Sequence, residues 1–99
     1  MERQQIAKNL KVLEWLKCEI LDHVAAVYRH VMHGKLHGAL DALASLIVAV
    51  IMMARRLGFS FRELENAVTK KLREHVRQGH QMEEWYGDLS ALEEYMNKR

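Results

Sequence analysis

Between Leu43 and Met53 the chain reads LASLIVAVIMM, with no charged residue and no residue that breaks a helix. A helix apolar on nearly every face is surrounded by protein rather than water. The uncharged run extends only from Ala42 to Ala54, shorter than the roughly 20 apolar residues that span a bilayer. A buried core helix is the expectation. In a chain of 99 residues the neighbours available to cover it are few. Part of this surface is therefore expected to form the core of a dimer or tetramer.

The rest of the chain agrees with an all-α fold. There is no proline and there are five glycines, and Ala, Leu, Glu, Lys and Met are abundant. Apolar residues at Ile6, Leu10, Leu13, Leu16, Ile20, Val24, Val27 and Val31 recur every three or four positions. This spacing predicts one helix, or two in line, over Glu2 to His33, stopped at Gly34. A second helix is expected from Leu36 to Leu57, stopped at Gly58. Ser60 and Glu63 have capping-box spacing and open a third helix to about Gln78. Its inner face carries Phe61, Leu64, Ala67, Val68, Leu72 and Val76. His80 to Gly87 is a connection, with Trp85 and Tyr86 packing back. Asp88 caps a last helix, Leu89 to Asn97. No linker or repeat divides the chain, so residues 1–99 are expected to form one domain.

The formal charge of +2 gives no strong bias toward nucleic acid. The polar start MERQQIAKNL lacks a signal peptide's apolar segment. The lone Cys18 forms no internal disulfide and has no evident base beside it. A cytoplasmic location without membrane attachment is the expectation.

Glu19 and Asp22, three residues apart, project from one helix face and can share Mg²⁺ or Mn²⁺. Taken alone, such a pair reads as two solvated acids, with Glu19 pairing Lys17 or His23 nearby. Downstream of it come a strongly apolar helix, a basic Leu-Gly stop, and a capping box opening a helix with Lys70-Lys71. From Glu14 to Arg77 this series resembles the MazG and all-α nucleoside triphosphate pyrophosphohydrolase family. The resemblance implies an antiparallel helix bundle. It also implies two acidic motifs on successive helices that hold Mg²⁺ or Mn²⁺, where a nucleotide is split to a monophosphate and pyrophosphate.

Carried over by position, Glu19 and Asp22 match the first acidic motif. Aligning the Leu57-Gly58 stop places Ala42 and Ser45 at the acids of the second, so two carboxylates are missing. Asp41 is the nearest substitute, but one residue along a helix turns a side chain by about 100°. Lys71 and Arg77 fall where the family often has basic, phosphate-facing residues. The expectation is a divergent member that has lost the activity and keeps a binding, regulatory or structural role. The alternatives are an active enzyme with a rebuilt site and a helical interaction module. The module would bind nucleic acid through Lys70, Lys71, Arg73 and Arg77, although Glu74 interrupts that face.

Two other features have blander readings. His30, His33 and His37 have spacing that suits zinc only on an unbroken helix, and Gly34 lies between them. The methionines read as core filler.

Overall fold

The computed structural model describes residues 3–79 and 87–98. All regular structure among them is helical: α1 (Arg3–Met32), α2 (Leu36–Arg56), α3 (Phe61–Arg77) and α4 (Asp88–Asn97). The expected connection from His80, with Trp85 and Tyr86, lies outside the described residues up to Gly87. The chain divides into two compact units, Met1–Ser60 and Phe61–Arg99.

The first unit is an α1–α2 hairpin. Gly34 takes φ +70°, a conformation that costs glycine little. It lets the Gly34 N–H donate to the Val31 carbonyl at 3.1 Å and the Lys35 N–H donate to the His30 carbonyl at 2.8 Å. These two bonds satisfy the last carbonyls of α1 in a Schellman arrangement. The same pattern ends α2. Gly58 N–H donates to Arg55 at 3.1 Å and Phe59 N–H to Ala54 at 3.0 Å. Asn9 on α1 adds a long-range tie, its Nδ2 donating to the Arg56 carbonyl at 3.0 Å.

The hairpin interface is built on small residues. Ala39, Ala42 and Ala49 of α2 are buried, as is Leu16 of α1. Leu46 and Met53 are half-buried. Spacings of three and four between these positions make one seam, and alanines in it let two helix backbones approach closely. Gly38 shows how close: a Cβ there would lie 2.8 Å from Cγ of the His30 ring. On α1 the middle of the expected stripe turns inward at Leu13, Leu16, Ile20, Val24 and Val27. Its ends open to solvent, with Ile6, Leu10 and Val31 about half exposed.

Most of α2 is uncovered within the described structure. Leu40, Ile47 and Val48 keep 64%, 59% and 57% of their surface exposed. Only 17% of its apolar window is buried. The helix also runs beyond the uncharged segment at both ends. Its 21 residues, with Asp41 among them, reach the length and apolarity of a bilayer-crossing helix by composition. That differs from the expectation drawn from the uncharged run, because Asp41 near the start and Arg55 and Arg56 at the end leave the helix apolar enough over its length.

In the second unit α3 packs on α4. Leu72 is buried and Leu64 and Val76 are half-buried, whereas Phe61, Ala67 and Val68 of the expected inner face are exposed. Arg73 Nε lies 3.6 Å from a Glu93 carboxylate oxygen of α4. The start of α4 departs from expectation. Asp88 is the first helical residue, and Gly87 at φ +66° occupies the cap without a side-chain hydrogen bond. A glycine that reverses the chain there leaves Asp88 to act on the helix dipole in the first turn instead.

Candidate functional site

The α1–α2 hairpin carries an open groove of about 370 Å³. From α1 it is lined by Trp15, Leu16, Glu19 and His23, and from α2 by Ala44, Ser45, Val48, Ala49 and Met52. Each set follows from helical periodicity. Trp15, Glu19 and His23 are separated by four residues and so stack along one face; Ser45 and Ala49, and Ala44, Val48 and Met52, repeat the same interval.

Three groove residues are polar. The Glu19 carboxylate sits 3.3 Å from His23 Nε2, with side chains 33% and 26% exposed. Ser45 is half-buried on the opposite helix. The hairpin thus brings Glu19 and Ser45 to one groove. Ala42 is buried at the helix interface and is not among the lining residues.

The other candidate ligands are elsewhere. Asp22 and Asp41 are exposed and do not line the groove. Among the described residues no group of three or more His, Cys, Asp or Glu is placed to hold a metal ion, and this includes His30, His33 and His37. Mg²⁺ and Mn²⁺ take several oxygen ligands. One carboxylate engaged by an imidazole, with a serine across the groove, does not fit that requirement.

Lys71 and Arg77 belong to the second unit. Lys71 Nζ lies 3.9 Å from Glu74, and Arg77 is exposed. With Arg73 matched by Glu93, two of the four cations on the basic face of α3 sit beside acids.

The apolar share of the groove was missed in the sequence. Its signal was present: Trp15 stands one helical turn before Glu19, as His23 stands one turn after. Chemically, the groove offers apolar walls, an exposed indole at its rim and one carboxylate–imidazole pair.

A family model described as MazG-like matches residues 6–89. Nothing matches among curated proteins or among solved structures. The match takes in the hairpin, α3 and the start of α4.

Proposed function

This chain belongs to the MazG-like family. From that premise we propose that it is a divergent member without nucleoside triphosphate pyrophosphohydrolase activity. It keeps a binding, regulatory or structural role as a self-assembled protein of the cytoplasm. The observation that supports this reading is the donor set of the groove. Where the family's chemistry needs clustered anions to hold a cation against phosphate charge, the groove has Glu19 paired to His23 and faced by Ser45.

A rebuilt, active site would need a second carboxylate, and Asp22 and Asp41 both lie outside the groove lining. A nucleic-acid role would need free cations on α3, and the acids beside Lys71 and Arg73 weigh against it.

The test has two parts. Calorimetric titration with Mn²⁺, with and without a non-hydrolysable triphosphate, should give no stoichiometric binding. Incubation with each common nucleoside triphosphate and Mg²⁺ or Mn²⁺ should release no pyrophosphate. Release that Glu19→Gln abolishes would refute the reading and reinstate an active enzyme.

A further inference from the structure

The groove between α1 and α2 is lined by one carboxylate and by no lysine or arginine. His23 Nε2, 3.3 Å from one Glu19 oxygen, donates to it. A neutral imidazole spends one N–H there and leaves the charge of the carboxylate in place. The second Glu19 oxygen has no partner among the described residues. At 33% side-chain exposure Glu19 has lost part of its water, and a carboxylate oxygen so placed favours a positively charged donor.

Trp15, one turn before Glu19, keeps 60% of its surface exposed. Side chains four apart on a helix have Cβ atoms about 5–6 Å apart, and an indole attracts a cation within about 6 Å of its ring. On α2, Ala44, Val48 and Met52 form an apolar wall, and Ser45 adds a hydroxyl to it.

We propose that this groove binds a small organic monocation, with a primary ammonium group at Glu19 and Trp15 and an apolar or aromatic body along Val48 and Met52. The inference names the ligand class for the binding role stated above, and it rests on that reading in one respect: no metal-bound phosphate competes for Glu19.

Three observations select this ligand. Charge is the first. An anion would meet the Glu19 carboxylate with no lysine or arginine in the lining to offset the repulsion. A neutral body would cover the free Glu19 oxygen and leave it unpaired. Donor count is the second. An ammonium has three N–H donors. The free oxygen of Glu19 and the Ser45 hydroxyl are acceptors within the groove, and its open side leaves the third donor to water. Size is the third. A volume of about 370 Å³ lies at the small end of ligand sites and suits one ring with a short chain.

The probe is phenethylammonium, titrated into the full chain at pH 8, where an ordinary imidazole is neutral. Binding is followed by NMR, on the ligand and on the Trp15 indole N–H. The Kd should be on the order of 1 mM or tighter, within reach of so small a ligand. Phenethyl alcohol, the neutral analogue, should bind about tenfold more weakly, and the anionic analogue hydrocinnamate should not bind. Glu19→Gln should weaken the ammonium about tenfold and leave the alcohol unchanged. Trp15→Leu, at an exposed position that leaves the fold intact, should weaken the ammonium about two- to fivefold.

Ammonium and alcohol that bind equally would overturn the inference. So would an ammonium indifferent to Glu19→Gln, or one that leaves the Trp15 signal unmoved. Competition separates such a failure from failure of the reading beneath it. A nucleoside triphosphate with Mn²⁺ should not displace the probe. Displacement that Glu19→Gln abolishes would overturn both, whereas no binding of either ligand would overturn the inference alone.

Discussion

Placing at Ala42 the acid that the resemblance to the family leads one to expect there should destabilise the hairpin unless a cation comes with it. Ala42 is 6% exposed, in the alanine seam against α1. Ala42→Gln adds bulk without charge, and overpacking of this kind costs about 1–3 kcal/mol. Ala42→Glu has the same shape and adds a carboxylate removed from water. An uncompensated buried charge costs about 3–5 kcal/mol, and a long side chain that reaches toward the interface edge recovers part of it. The Glu variant should therefore be about 2–4 kcal/mol less stable than the Gln variant at pH 7. That is a large fraction of the roughly 5–15 kcal/mol that holds a small domain together.

The pH dependence has a definite sign. Burial raises the folded-state pKa of the new carboxyl above its unfolded value near 4.3. Below about pH 4 both states are protonated and the Glu and Gln variants should coincide. The penalty then grows as pH rises between the unfolded and folded values, and is constant above. Urea denaturation followed by circular dichroism, with a chelator present, measures the gap. Glu and Gln variants that unfold together from pH 4 to 8 would show that position 42 is not sealed, and the reasoning would fail. Adding Ser45→Asp should convert the liability into a site. Mn²⁺ should then stabilise the double variant but not the parent protein, because a ligand stabilises only the state that binds it.

Other substitutions test the remaining joints of the hairpin. Gly38→Val should lose about 1–3 kcal/mol through collision with the His30 ring, and His30→Ala should restore most of it, a coupling visible in a double-mutant cycle of urea midpoints. Glu19→Gln should change stability by less than about 0.5 kcal/mol, since a half-exposed pair four residues apart on one helix contributes little; a loss above 2 kcal/mol by the same assay would make the pair structural. Gly58→Ala should cost about 1–2 kcal/mol, because φ +104° lies outside the range alanine adopts without strain. An unchanged thermal midpoint would refute that account.

Much of the fold was legible because its signals are local. The glycine stops at Gly34 and Gly58 place the ends of α1 and α2 to within a residue or two, and periodicity identifies the inward middle of α1. Gly87 was not legible as a cap, because Asp88 beside it has the side chain that usually takes that position. The site was legible in part. Spacing leaves Glu19 a choice of Lys17 or His23, of which the structure takes His23, while Lys17 turns to Glu14; the hairpin brings Ser45 to the same groove. The 100° step from Ala42 already turns Asp41 away, but that Asp22 falls outside the groove depends on how the hairpin is rotated about the alanine seam. That rotation is a tertiary property, set by which small residues let the backbones meet, and no pair of acids three apart encodes it. The span of α2 was underestimated for a different reason: an uncharged run is a stricter measure than a helix tolerating Asp41.

The alanine seam has a consequence for how the chain survives in a cell. An alanine contributes one methyl group to an interface, about 0.8 kcal/mol if fully buried. Many of the large side chains of α2, which would contribute more, are exposed, among them Leu40, Leu43, Ile47, Val48 and Val50. Under the self-assembly given above as part of the proposed function, most of the free energy that keeps the hairpin folded comes from a neighbour rather than from within. Folding is then a second-order process, and the fraction folded depends on how much protein is present. A newly made chain is vulnerable to proteolysis until it meets another. Its abundance sets its own half-life, so doubling synthesis should more than double the amount that persists.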